Sequence, residues 1–94
     1  MKYTDHIDVS NHAGRCCLSV HDAELFDFLD DFFVERDLKF DIAQTQADGK
    51  PLYQMLFLAS ISQAAVFRQL STIASDEIER IYRLNNPLAQ SRGN

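Results

Sequence analysis

The stretch LKFDIAQTQADGKPLYQMLFLAS, residues 38–60, constrains the fold more than any other part of the chain. Its centre, Asp48-Gly49, predicts a two-residue hairpin turn, because a type I′ turn requires positive φ at both central positions. Counting outward from this turn places Ile42 opposite Met55, so the apolar side chains of both strands lie on one face. The residues that share this face are Leu38, Phe40, Ile42, Tyr53, Met55, Phe57 and Ala59. The segment therefore predicts an antiparallel hairpin of fixed register.

The second strand of this hairpin is apolar on its other face as well. Pro51 is predicted to lie opposite Gln46 in a non-hydrogen-bonded pair, where its missing N–H costs nothing. The opposite parity carries Leu52, Leu56 and Leu58. A strand that is apolar on both faces is usually central in its sheet and covered on both sides. We therefore expect a partner or a second copy of the chain to cover the second face.

The N-terminal part of the chain predicts another pair of strands. Residues 3–9 alternate between apolar and polar side chains, which is the period of a half-buried strand. The sequence SNHAG at 10–14 supplies turn residues, and RCCLSV at 15–20 is a second strand candidate.

Residues 22–34 change to a helical period, with apolar and acidic side chains on opposite arcs. The apolar arc consists of Leu25, Phe26, Phe28, Leu29, Phe32 and Phe33. The acidic side chains are Glu24, Asp27, Asp30 and Asp31, with Glu35 just beyond. His21 or Asp22 is predicted to cap this helix. Further along, Ser60 or Ser62 caps a helix to about residue 73, and Ser75 begins another helix, or a kinked continuation, through Leu84.

These elements predict the order ββ-α-ββ-αα, or β-α-ββ-α if the first strand does not form. The expected fold is a small two-layer α+β sandwich, with helices on one face of a mainly antiparallel sheet. Residues 1–86 are expected to form one domain, and residues 87–94 a flexible C-terminal tail.

The acidic charge is concentrated in one block of the sequence. The net charge of the chain is -5, but residues 22–48 carry nine acidic and two basic side chains, hence −7. A block of this kind repels phosphates and attracts basic proteins, so we expect no direct nucleic-acid binding. No apolar run approaches the roughly 18 residues of a membrane span, so we expect no membrane partner either.

No catalytic or cofactor-binding signature is present in the sequence. Four potential zinc ligands form a symmetric H-x3-C-C-x3-H, namely His12, Cys16, Cys17 and His21. Neighbouring residues of a strand point to opposite faces, so these four are not expected to converge on a metal ion. We predict no metal site, no cofactor and no enzymatic activity, although a closed pocket lined by Cys16, His21 or Tyr53 would indicate a small ligand-binding domain. Adjacent cysteines rarely bridge, which indicates free thiols and a cytoplasmic location.

The acids of the first predicted helix repel one another. The like-charged pairs at i, i+3 or i, i+4 are Glu24–Asp27, Asp27–Asp30, Asp27–Asp31 and Asp31–Glu35. Each pair costs about 0.2–0.5 kcal/mol. The last helix is instead predicted to pair its charges as Asp76–Arg80 and Glu79–Arg83. Three interpretations of these acids remain open. They form a solvated surface, they pair with Arg15, Arg36 or Lys39 within the fold, or they bind a cation of another molecule.

The function that these features predict is non-catalytic. We expect a small acidic interaction protein that binds and neutralises a basic protein, such as a nuclease toxin, in the manner of immunity proteins, antitoxins and nuclease inhibitors. The residues expected to bind the partner are Glu24, Asp27, Asp30, Asp31 and Glu35. The alternative is a structural or regulatory homodimer module that assembles through Leu52, Leu56 and Leu58 on the outer face of the sheet.

Overall fold

The computed structural model describes residues 3–85, and the side chains of residues 3–84. The elements are β1 (Asp8–His12), β2 (Arg15–Val20), α1 (Ala23–Glu35), β3 (Phe40–Ala47), β4 (Lys50–Phe57), α2 (Gln63–Leu70) and α3 (Ser75–Asn85). The predicted order ββ-α-ββ-αα and the α+β class are confirmed. The tail predicted at residues 87–94 lies outside the described residues.

The sheet has the strand order β1-β2-β4-β3, and every neighbouring pair is antiparallel. The β3–β4 hairpin has the predicted register, with Ile42 opposite Met55. Its turn residues Asp48 and Gly49 have φ values of 56° and 76°, as a type I′ turn requires. Strand β4 lies between β2 and β3, which confirms the central position that its two apolar faces predicted.

The first strand begins later than predicted. The alternation covered residues 3–9, but β1 spans Asp8–His12. The backbone N–H of Tyr3 donates to the carbonyl oxygen of Ile7 over 2.8 Å, so this segment turns instead of extending. The turn after β1, at residues 13–14, has φ values of 52° and 80°, so both hairpins are closed by two residues in the left-handed region.

Helix α1 begins and packs as its sequence predicts. Asp22 is the N-cap, and its carboxylate accepts a hydrogen bond of 2.9 Å from the backbone N–H of Leu25. The buried side chains of the helix are Leu25, Phe26, Leu29, Phe32 and Phe33. The Phe33 ring meets the Phe57 ring of β4 edge-on at 5.0 Å, which joins the helix layer to the sheet.

Helices α2 and α3 are separate elements. Ser62 caps α2, which ends at Leu70 and not near residue 73. The hydroxyls of Ser71 and Thr72 each donate to a carbonyl oxygen three residues earlier, over 2.7 Å. If the helix continued, these carbonyl oxygens would instead accept hydrogen bonds from backbone N–H groups of the next turn. The helix predicted to begin at Ser75 is confirmed, whereas the kinked continuation is wrong.

The core lies between the helices and one face of the sheet, which we call the inner face. Cys16, Leu18 and Val20 of β2 point into it, together with Met55 and Phe57 of β4. Helix α1 packs on β2 and on α3, and α2 packs on β1. The opposite face, which we call the outer face, is covered by no helix in the described part of the chain.

Candidate partner-binding surface

The acidic side chains of α1 lie on the side of the helix away from the core. We call Glu24, Asp27, Asp30, Asp31 and Glu35 the acidic face. Burial of the apolar arc against the sheet fixes the rotation of the helix, so four of these side chains are exposed and Asp30 is half-buried. The predicted partner-binding residues are therefore brought together on one surface.

Arg15, one of the internal cations considered for this surface, binds elsewhere. One guanidinium nitrogen of Arg15 lies 2.9 Å from a carboxylate oxygen of Asp41 on β3. The same side chain donates to the carbonyl oxygens of Leu56 and Phe57, over 2.7 Å each. Arg15 thus holds the ends of three strands together and is not available to α1.

The other two cations are also occupied. The Arg36 guanidinium lies over the ring of Phe32, 3.7 Å from its centroid, and Lys39 is 3.8 Å from the carboxylate of Asp37. Among residues 3–85, no ion pair joins the acidic face to any cation. The interpretation that Arg15, Arg36 or Lys39 neutralises these acids is therefore not supported by the residues described.

Repulsion within the acidic face is visible at Asp30. Burial raises the pKa of this carboxyl above its ordinary value of 3.8, and the neighbouring Asp31 and then Asp27 raise it further. A cation brought next to Asp30 would relieve this repulsion. Positive charge near Asp30 is therefore electrostatically favourable.

Helix α3 offers the contrast that its sequence predicted, with one change of partner. Arg83 lies 3.7 Å from Glu79, as expected, but Arg80 pairs with Glu77 at 2.6 Å and not with Asp76. This hydrogen bond with Arg80 lowers the pKa of Glu77. Two of the three acids of α3, Glu77 and Glu79, are therefore paired with cations of their own helix, unlike those of α1.

A concave surface lies next to the acidic face, between the C-terminal half of α1 and β3. We call it the uncovered groove; its volume is about 550 Å³. It is lined by Asp30, Val34, Asp37, Leu38, Lys39, Phe40, Asp41, Ile42 and Leu58. Three of its apolar side chains are unusually exposed: Val34 by 63%, Ile42 by 56% and Leu58 by 41%. Exposed apolar side chains that cluster within a polar rim are typical of interaction sites.

The groove exists because the helix layer does not extend over β3. One row of inner-face side chains crosses the sheet through Val9, Leu18, Met55 and Ile42. The first three members are 0% exposed, whereas Ile42 is 56% exposed. In this row the inner face is therefore covered on β1, β2 and β4 and open on β3.

The three leucines predicted to form a dimer contact do not all lie on the outer face. Leu52 and Leu56 are half-buried on β4, whereas Leu58 lies beyond the end of β4 and lines the uncovered groove. Beside Leu56 on β2, Cys17 is buried, and its sulfur lies 3.6 Å from the amide nitrogen of Gln54. The outer face is thus a mixed polar and apolar surface.

Two of the three histidines, His6 and His21, make contacts within the fold, whereas His12 is exposed at the end of β1. The His6 ring stacks on Tyr82 at 3.9 Å, and its Nε2 lies 2.9 Å from a carboxylate oxygen of Glu79. His21 Nδ1 lies 2.8 Å from the carbonyl oxygen of Pro51.

Cys16 and Cys17 are free, point to opposite faces of the sheet and are both buried. Burial, and then the neighbouring Cys17, raises the pKa of the Cys16 thiol, which opposes its use as a nucleophile. Within residues 3–85, no group of three or more His, Cys, Asp or Glu side chains is placed to hold a metal ion.

Sequence reasoning missed the uncovered groove. Its available signal was Val34, an apolar residue that lies outside the predicted apolar arc of α1 and is followed by the charged stretch ERD.

None of the helices in residues 3–85 has the length and apolar character needed to span a membrane. No protein-family model matches the chain, and no curated protein or solved structure is significantly similar to it.

Proposed function

We propose that this chain is a non-catalytic interaction protein that binds and neutralises a basic protein. The observation that carries the proposal is the acidic face, whose five carboxylates find no cation among residues 3–85. Proteins of this type include immunity proteins, antitoxins and nuclease inhibitors. We place the interaction in the cytoplasm, a proposal that the two free cysteines support.

The mechanism that we propose is occlusion. The acidic face engages Lys and Arg side chains with which the partner, for instance a nuclease toxin, would otherwise hold phosphates. Electrostatic attraction raises the association rate, and apolar contacts in the adjacent groove contribute to the lifetime of the complex. Metal ions and cofactors play no part in the proposed activity.

The test is affinity capture with two charge-reversal variants of equal net charge. Asp27→Lys/Asp31→Lys alters the acidic face, and Asp48→Lys/Asp76→Lys alters exposed acids on the β3–β4 turn and on α3. Each variant changes the net charge from -5 to −1. Capture is compared at about 0.05 M and about 0.5 M salt, because the Debye length falls to roughly 4 Å at the higher concentration.

We expect a basic protein to be captured by the wild type and by the control variant at low salt only. The acidic-face variant should lose it while its circular dichroism spectrum stays unchanged. Equal capture by both variants would contradict the proposal, because the position of the charges would then be irrelevant and the acidic face would be only a solvated surface.

A second candidate function is a structural or regulatory homodimer module. It is favoured by the outer face of the sheet, which carries Leu52 and Leu56 and is covered by no helix of residues 3–85. Sedimentation equilibrium over a wide concentration range tests this candidate. A dimer that dissociates in the Leu52→Gln/Leu56→Gln variant would support it, and a strict monomer would exclude it.

A further inference from the structure

The uncovered groove leaves part of the inner sheet face without its second layer. Along the row that crosses the sheet, Met55 is fully buried, and Ile42, its neighbour on β3, is 56% exposed. In a two-layer sandwich the apolar face of a sheet is covered by helices. The groove is the place where this layer is missing, and the exposed Val34 of α1 forms its other wall.

The geometry of the groove favours a helix over an added strand as its occupant. Strand β3 is at the edge of the sheet, so a fifth strand has room to pair with it. An added strand would lie beside β3 in the plane of the sheet and would leave the face above Ile42 open. A helix next to α1 would lie on that face and contact Val34, Ile42 and Leu58 together.

The charge of the rim favours a basic occupant. Three acids and one base line the groove, namely Asp30, Asp37, Asp41 and Lys39. Asp41 is paired with Arg15, and Asp37 is within 3.8 Å of Lys39. Asp30 has no ion-pair partner among residues 3–85, and the rest of the acidic face continues from it along α1. A second copy of this chain, with its net charge of -5, would bring like charges to this rim.

We infer that the uncovered groove binds an amphipathic helix of the partner protein, with one apolar stripe flanked by Lys or Arg. The inference rests on the proposed function and specifies the part of the partner that is recognised. The apolar stripe covers Ile42 and Val34, and the flanking cations meet Asp30 and the neighbouring acids of α1. The partner helix thereby completes the helix layer over β3.

The experiment uses synthetic probes and the full chain. Two peptides of about 14 residues, or roughly four helical turns, contain only Leu and Lys in equal proportion. One has its leucines at helical spacing, and the other alternates Leu and Lys as a strand does. Binding is measured by titration calorimetry, and the contacted residues are mapped by backbone amide NMR shifts.

Variants of unchanged charge locate the site. Val34→Gln/Ile42→Gln removes two apolar side chains of the groove, and both positions are exposed enough to tolerate Gln. Leu84→Gln is the matched control, since Leu84 is 65% exposed on α3 and does not line the groove. We expect the helical peptide to shift amides around Ile42 and to bind the groove variant at least about tenfold more weakly than the control, a difference of about 1.4 kcal/mol.

Any of the following results would overturn the inference. The first is equal affinity of the helical peptide for both variants, or no binding at all. The second is stronger binding of the alternating peptide with shifts along the free edge of β3, which would indicate strand addition. The third is a wild-type dimer that dissociates in the groove variant, which would identify a second copy as the occupant. If the groove variant still captures the basic partner while Asp27→Lys/Asp31→Lys does not, the proposed function stands and the helix inference fails.

Discussion

Replacing Asp31 with Lys is expected to stabilise the folded protein. Asp31 is exposed on α1, one turn from Asp27 on one side and from Glu35 on the other. Two repulsive i, i+4 pairs, each costing about 0.2–0.5 kcal/mol, become attractive pairs of similar size. Lys is also a better helix former than Asp by roughly 0.4 kcal/mol. We expect the free energy of unfolding to rise by about 1.2–2.4 kcal/mol in total.

Thermal unfolding followed by circular dichroism measures this gain. For a domain of this size, about 1 kcal/mol raises the Tm by roughly 4–8 °C. Asp31→Asn is the control, because it removes both repulsive pairs without creating attractive ones, so about half of the electrostatic part of the gain should remain. At about 1 M salt, where the Debye length is near 3 Å, the gain should shrink toward the contribution of helix propensity.

A Tm at low salt that equals or falls below that of the wild type would refute the reasoning. It would mean that Asp31 already has a stabilising contact, which the substitution destroys. If Asp31→Lys is more stable and also loses the basic partner, the acids of α1 lower stability in exchange for binding.

Three further substitutions test the local structure. Burial, Asp31 and Asp27 raise the folded-state pKa of Asp30, so ionisation of this one carboxyl costs stability as the pH rises from 3.8 through that pKa. Relative to the wild type, Asp30→Asn should therefore have a higher Tm near about pH 7, with the difference vanishing near about pH 3. Asp22→Ala should lower the free energy of unfolding in urea by about 0.5–2 kcal/mol, because the N–H of Leu25 loses its acceptor, whereas Asp22→Ser should cost little. Gly49→Ala should cost about 1–2 kcal/mol in the same assay, from strain at φ 76° alone, since no atom lies within 4 Å of the added Cβ; Gly49→Asn should cost less.

The β3–β4 hairpin and α1 could be predicted because several local signals agree in each. The turn at Asp48-Gly49 fixes the register, and the alternation on both sides of it then places Ile42 and Met55 on one face. The cap and the apolar arc of α1 agree in the same way. The start of β1 was misplaced because the alternation also fits the turn that Tyr3 closes with Ile7.

Val34 indicated an exposed apolar side chain on α1, but the groove that it lines could not be predicted, because the groove depends on contacts that are distant in sequence. Which strand lies at the edge follows from the pairing of β2 with β4, and no local pattern of β3 shows it. The exposure of Ile42 follows in turn from where three helices pack. The contacts of Arg15 could not be predicted for the same reason, since its partners, Asp41 and two carbonyl groups of β4, are distant in sequence.

The two hairpins are related by an approximate twofold axis normal to the sheet, which passes between Leu18 and Met55 and exchanges β1 with β3. Under this rotation Ile42 takes the place of Val9, since each lies opposite one member of the central pair. The helices break the symmetry, because α1 packs on β2 and α2 on β1, so both lie toward the same half. The packing of α2 on β1 therefore indicates how a helix of the proposed partner would pack on β3, which is the symmetry-related strand.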